Sequence, residues 1–237
     1  MIDFHSHILP GVDDGPETLD ESLSMLRAGF LQGTDLMVST SHFYGFEEDP
    51  QTFLKRRNAA ARQLKDAVFY STEVYPRLIL GAEVLFFPGI SDAEGIELLR
   101  IGNSRSILIE PPMTSWTNDM LDEIQQLGKN FDLTPVIAHV DRYMHLLQDD
   151  SLLARVRQRN LIVQVNGSYF LNPKTKKAAL ENLKAGNIQL IGSDCHNLDS
   201  RPPCLGQVWK IIRENHAQNA FQQLHQNAAE LLMNRKV

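Results

Sequence analysis

The 237-residue chain predicts an α/β fold, a parallel sheet closed into a barrel of about seven βα units. Three observations carry this expectation. Short, mostly aliphatic runs alternate with helix-like stretches, the pattern of strands buried on both faces. No Gly-x-Gly-x-x-Gly follows the first run and no Walker lysine motif occurs, which disfavours the nucleotide-binding open sheets. Most of the runs end in histidine, aspartate or glutamate, and a parallel barrel gathers all strand ends on the face where active sites are built.

The elements follow in order. Ile2–His5 is a strand ending in His5-Ser6-His7, whose period of two aims both imidazoles the same way. Thr18-Leu19-Asp20-Glu21 is a capping box, and Leu19, Leu23, Leu26 and Phe30 continue at helical spacing to a stop at Gly33. Residues 36–40 form the second strand, ending at Ser41-His42. Asp49-Pro50 opens a helix over roughly 51–70. Its Lys55, Arg56, Arg57, Arg62 and Lys65 make a solvated face. Residues 78–82 form the third strand, ending at Glu83, and 106–109 the fourth, ending at Glu110. A helix through Met120, Leu121, Ile124 and Leu127 closes at Gly128. Residues 135–138 form the fifth strand, ending at His139. A helix near 150–159 leads to the sixth, 161–165, ending at Asn166-Gly167. A helix over 174–184 stops at Gly186. Residues 188–192 form the seventh strand, ending at Ser193-Asp194-Cys195-His196. Residues 205–236 are helical, in two pieces broken near Asn215.

Composition narrows the function. The charge of −6 argues against a nucleic-acid or anionic-membrane surface as the main partner. No apolar run reaches the roughly 18 residues of a membrane span, and no signal-peptide pattern opens the chain. Two cysteines make no disulfide framework, so a cytoplasmic location is the default. With no repeat or linker, 1–237 reads as one domain.

Five of the eight histidines, with Glu83, Glu110 and Asp194, cluster at strand ends. His145, His216 and His225 fall in helices or loops and read as ordinary surface or core residues. Carboxylates closing aliphatic strands are costly to bury unless paired or bound to metal. Five imidazoles and about four carboxylates exceed one ion's needs and suit two or three of zinc, manganese or iron. Spacing leaves open which of Asp13 and Asp14 takes part.

Asp3-x-His5-Ser6-His7, Asp13-Asp14-Gly15, His42, Glu83, Glu110, His139-x-x-Arg142 and Ser193-Asp194-x-His196 resemble the polymerase and histidinol phosphatase (PHP) superfamily. Residues 5–16, and Asp194-x-His196-Asn197-x-x-Ser200-Arg201-Pro202-Pro203, resemble its bacterial metal-dependent protein-tyrosine phosphatases of the CpsB/YwqE type. The resemblance spans essentially the whole chain. It implies a distorted (β/α)7 TIM-like barrel with the metal site at the C-terminal ends of the strands, and manganese or iron as the ions. Carried over, His5, His7, Glu83 and Asp194 hold one ion. Glu83 bridges to a second, bound also by Glu110 and His139, and Asp14, His42 and His196 hold the third. The preference for Asp14 over Asp13 comes from the family pattern. The implied substrate is phosphotyrosine on a partner such as a tyrosine kinase of capsular or exopolysaccharide synthesis.

Arg142 and Arg201 beside such a cluster offer planar, bidentate contacts to a phosphomonoester dianion. The expected reaction is in-line attack of a metal-bound hydroxide on phosphorus. Thr40-Ser41-His42 departs from the family's Thr-Pro-His, which relaxes a rigid loop and leaves the ligand in place. Phe43-Tyr44-Gly45-Phe46 is aromatic enough to stack on a phenyl ring. Cys195-x5-Arg201 has the spacing of a cysteine-phosphatase loop, but Asp194 opposes a thiolate and no glycine-rich phosphate cradle follows. Competing readings are a small-molecule phosphatase of the histidinol-phosphate kind and a metal-binding regulatory module without turnover.

Overall fold

The computed structural model describes residues 1–114, 116–147 and 151–237. Its strands are β1 (Ile2–Ser6), β2 (Leu36–Ser39), β3 (His42–Phe43), β4 (Arg77–Leu80), β5 (Glu83–Leu85), β6 (Ser106–Glu110), β7 (Thr134–Ile137), β8 (Ile162–Asn166) and β9 (Leu190–Gly192). The order β1-β2-β4 forms one sheet and β3-β5-β6-β7-β8-β9 another, all neighbours parallel. The sheets meet along β1 and β9, where Asp194 N–H donates to His5 O (2.8 Å) and His7 N–H to Cys195 O (2.9 Å). Gly192 permits that approach, because a Cβ there would sit 2.4 Å from the Cβ of His5. The result is a curled parallel half-barrel.

The helices are α1 (Leu19–Leu31), α2 (Pro50–Tyr70), α3 (Asn118–Phe131), α4 (Val140–Leu147), α5 (Leu152–Gln158), α6 (Gly167–Leu171), α7 (Lys176–Lys184), α8 (Leu205–Glu214) and α9 (Gln218–Leu232). The capping box at Thr18 and Glu21 forms as the sequence predicts, as does the break between α8 and α9. No helix among the described residues is long and apolar enough to cross a membrane.

Several expectations need correction. The second and third strands are each interrupted, into β2 and β3 and into β4 and β5. At the first break the Thr40 hydroxyl accepts from Ser6 N–H (3.2 Å), so a side chain replaces a ladder carbonyl. The neighbouring chain follows, with Glu83 N–H shared between the carbonyls of Thr40 and Ser41 (3.1 Å each). Only two short 3-10 turns, Ile90–Asp92 and Ile96–Leu99, connect β5 to β6. Gly128 does not end α3, which continues to Phe131 with Asp132 left-handed (φ 51). The glycine instead allows close packing, since a Cβ would lie 3.0 Å from both Leu133 O and Pro135 Cδ. Helix α4, unforeseen, starts directly after His139. The sixth strand ends at Asn166 as expected, and Gly167 opens the short α6, which was not foreseen. On α2, Lys55, Arg56, Arg62 and Lys65 are exposed, but Arg57 is buried.

Inside the curl, Phe4, Leu36, Val38, Leu108, Val136, Ile162 and Leu190 form one apolar cluster, floored by Ala228 and Leu231 of α9. A larger cluster lies between strands and helices. The β1–β2 register slips between Asp3 and Ser6, where three steps on β1 match two on β2. Phe4 packs in the inner cluster, while His5, within the slip, and His7, beyond it, face the polar mouth above.

Candidate metal centre

All nine residues expected to hold metal converge above the inner cluster, each delivered by a strand end or the loop beyond it. His5 Nε2 lies 3.1 Å from His7 Nε2. The buried Glu83 carboxylate is the hub. Its Oε2 stands 3.1 Å from His5 Nε2, 3.2 Å from His7 Nε2 and 3.1 Å from His42 Nδ1, and its Oε1 is 2.9 Å from His139 Nε2. Glu110 reaches His139 Nε2 at 3.3 Å and His42 Nδ1 at 3.8 Å. Asp14 Oδ1 lies 3.1 Å from His196 Nε2 and 3.4 Å from His42 Nε2. Asp194 Oδ1 is 3.5 and 3.6 Å from the Nε2 atoms of His5 and His7.

Hydrogen bonding does not account for this crowding. Glu83 Oε2, His42 Nδ1 and His196 Nε2, all facing the cluster, are buried without a hydrogen-bond partner. Converging lone pairs of buried oxygen and nitrogen atoms fit divalent cations, whose His and carboxylate ligands stand about 2.0–2.2 Å from the ion. Three groups have ligand atoms within 4.8 Å of one another: His7, Asp14, His42 and His196; His5, His7 and Glu83; His42, Glu83 and Glu110. The grouping differs from the one the resemblance implies. His7 and His42 each serve two groups, and Asp194 and His139 stand just outside them.

The electrostatics follow from the same contacts. Burial alone would raise the Glu83 carboxyl, but the charge of His5, the hydrogen bond to His139 and the close approach of His7 hold it well below the usual range. Burial opposes charge on His7 too, yet the hydrogen bond to Asp13 and the nearness of the Glu83 carboxylate push it up to about 10. His196 is pushed down to about 4 by burial and by the charge of His7. His139 (φ 32) and Asp194 (φ 54) are held left-handed, a strain of about 1–3 kcal/mol each that the surrounding contacts must offset.

Four supporting residues were not assigned a role from sequence. Asp13 turns away from the cluster to accept from His7 Nδ1 (2.8 Å), His42 N–H (3.1 Å) and Gly15 N–H (3.1 Å). Asp3 accepts from Ser193 N–H (2.8 Å). Gln164, fully buried on β8, accepts from His139 N–H (2.6 Å) and lies 3.3 Å from His5 Nδ1. Its amide donates to Asn166 Oδ1 (3.2 Å), and Asn166 donates to Asp194 Oδ2 (2.7 Å). The available signal was two amides at alternate positions of an aliphatic strand, where burial demands partners.

Arg142, in the first turn of α4, donates to Asp194 Oδ2 (3.0 Å), and Arg201 to Asp194 Oδ1 (2.7 Å). Arg201 is placed by Asn197, whose side-chain oxygen accepts from the backbone of Asp199, Ser200 and Arg201 at 2.8–3.0 Å. Both guanidiniums are about one-third exposed and line a cavity reaching Ser168 and Gln207. Of the aromatic stretch, Phe43 is core, packed on Phe53. Tyr44 stacks on His42 (5.5 Å) and on Phe46 (5.7 Å), which is 72% exposed. Cys195 is fully buried and its thiol is pushed far up by burial and by Asp3, the reverse of a nucleophile. Of the histidines read as ordinary, His216 is exposed, His225 accepts from Ile2 N–H, and the side chain of His145 lies outside the described residues.

A family model, capsular polysaccharide synthesis, CpsB/CapC, matches residues 1–234. The tyrosine-protein phosphatase CpsB of Streptococcus agalactiae serotype III (strain NEM316) is 32% identical over 248 residues, covering 99% of both chains. CpsB of Streptococcus pneumoniae is 32% identical over 256 residues and all of both chains. The fold is similar to the crystal structures of YwqE from Bacillus subtilis and CpsB from Streptococcus pneumoniae, described as unique metal-dependent tyrosine phosphatases. The TM-score is 0.87 at 25% identity, over 100% of this chain and 96% of the other.

Proposed function

The chain belongs to the CpsB/CapC family of capsular polysaccharide synthesis, and from that premise we propose that it is a metal-dependent protein-tyrosine phosphatase. The observation that carries this is the buried Glu83 oxygen ringed by three imidazole nitrogens, with two guanidiniums at its rim. His5, His7, Asp14, His42, Glu83, Glu110, His139, Asp194 and His196 would hold two to three divalent ions, manganese first by the family resemblance, with iron and zinc equally suited to the mixed nitrogen and oxygen donors. Such ions, when bound, activate water and neutralise phosphoryl charge.

The chain's own residues supply the rest. Arg142 and Arg201 bind the phosphoryl oxygens by exchanging the carboxylate of Asp194, which they now share, for the phosphate dianion. Tyr44 and Phe46 line up as a wall on which the phenyl ring of phosphotyrosine stacks, beside His42. Gln164 and Asp13 hold His5, His139 and His7 in orientation, so no reorganisation is needed as charge develops. Counting β2 with β3 and β4 with β5 as interrupted strands gives seven strands, which supports reading the half-barrel as a distorted (β/α)7 type, with two 3-10 turns in place of one helix, and 1–237 as one domain. Family membership supports a tyrosine kinase of capsule or exopolysaccharide synthesis as the phosphorylated partner, in the cytoplasm.

The test is phosphate release from a phosphotyrosine peptide with chelator, with manganese restored, and in Cys195→Ser and His139→Ala. Activity lost to chelator, rescued by manganese, retained in Cys195→Ser and abolished with metal binding in His139→Ala is expected. Activity that survives chelation and dies with Cys195→Ser would sink the reading. Turnover of histidinol phosphate in place of the peptide would move the assignment to a small-molecule phosphatase.

A further inference from the structure

On the outer side of β4, away from the metal centre, lies a groove lined by Arg57, Lys65, Arg100, Leu78, Ile79 and Leu98, among others. No aspartate or glutamate lines it, in a chain of net charge −6. Arg57 is only 7% exposed and donates to Gly81 O (2.8 Å) and to Asn58 Oδ1 (2.9 and 3.1 Å), with no carboxylate at ion-pair distance among the described residues. Buried charges are ordinarily compensated by an opposite one. Among the described residues, no hydrogen bond or ion pair engages the exposed Lys65 and Arg100 side chains.

The strand beside these cations is equally unusual. Among the described strands β4 alone has no fully buried residue. Its inner edge pairs with β2. Its outer edge is engaged at one point, where Gly102 N–H donates to Leu80 O (2.7 Å). Alternation along a parallel strand turns the N–H and C=O of Leu78 outward in the same direction, and no backbone partner among the described residues meets them. An open edge with an apolar floor and a cationic rim is the surface that strand addition uses.

We propose that this groove binds an extended acidic peptide segment of a partner protein, paired to the outer edge of β4. Spacing favours an extended polyanion over a single small anion. Arg57 and Lys65 stand about 12 Å apart along α2 at about 1.5 Å per residue. In an extended chain, acidic residues at i and i+4 span about 13 Å, while those between them can lay apolar side chains on Leu78 and Ile79. The site also touches the catalytic ligand set through the backbone, because Arg57 holds the carbonyl of Gly81, in the break that aims Glu83. The binding claim does not depend on the phosphatase assignment.

The experiment is fluorescence anisotropy with a labelled Glu-Leu-Glu-Leu-Glu-Leu-Glu peptide at low salt, on the wild type and on the Lys65→Glu, Arg100→Glu double variant. Both substituted side chains are exposed, so the fold is retained, as circular dichroism would verify. Saturable binding that weakens with salt, at least tenfold weaker binding by the double variant, and none to the Gln-for-Glu peptide are expected. Equal binding by the variant, or no binding by the wild type, overturns the proposal. So does binding of tripolyphosphate or phosphatidylglycerol vesicles, sensitive to the same charge reversals, with the peptide ignored.

Discussion

At the scale of residues, the ligand types were readable because imidazoles and carboxylates are out of place at the ends of aliphatic strands. Their supports were not readable in the same way. Gln164 carries no metal-ligand chemistry, and nothing local distinguishes Asp13 from Asp14. Only the fold shows Asp13 turned to His7 Nδ1 and Asp14 turned to His42 and His196. Gln164→Leu makes a specific prediction. It strips the acceptor from His139 N–H and His5 and the donor from Asn166. Manganese affinity, measured by titration calorimetry, should fall about 10–100-fold, the usual effect of removing a ligand's support. The metal-free protein should lose about 1–3 kcal/mol in urea unfolding from the orphaned groups. Unchanged affinity would mean that β8 only fills space.

Among elements, helix starts were the most legible features, since capping is local chemistry. Thr18 and Glu21 satisfy each other's backbone groups, and Asp49 caps α2 through Thr52 N–H (2.9 Å). Thr18→Ala should cost about 1 kcal/mol of stability, read as a shift of the urea midpoint with unchanged slope, and leave manganese binding intact. Strand continuity was less legible. Residues 36–40 and 78–82 read as strands that end at His42 and Glu83, but pairing resumes at those residues as β3 and β5, after a break where the Thr40 hydroxyl meets Ser6 N–H and Glu83 N–H turns to the carbonyls of Thr40 and Ser41. Gly128 taught the same lesson in reverse. A glycine near a helix end resembled a stop, but its role is set by the later arrival of Pro135.

For the whole molecule, the two ends of the chain close on each other, with Ile2 N–H donating to His225 Nδ1 of α9 (3.1 Å). Burial and the nearby amino terminus push His225 down to about 4. Its folded value lies below its unfolded one, so its contribution is full above about pH 6.5 and is lost as pH falls toward 4. Unfolding free energies at pH 7 and pH 5 should differ by about 1–2 kcal/mol more in the wild type than in His225→Gln. Equal differences would show that the closure does not sense pH. By itself the sequence determined the α/β class, the order of the main strands and most of the helices, and the nine clustered residues. Those depend on hydrophobic period, capping and donor chemistry, which are local properties. The tertiary structure alone decided which atoms converge on Glu83, where strands break, that Arg57 is buried, and how Gln164 ties three strands together. Those are distances between residues far apart in the chain, and no local pattern encodes a distance that packing sets.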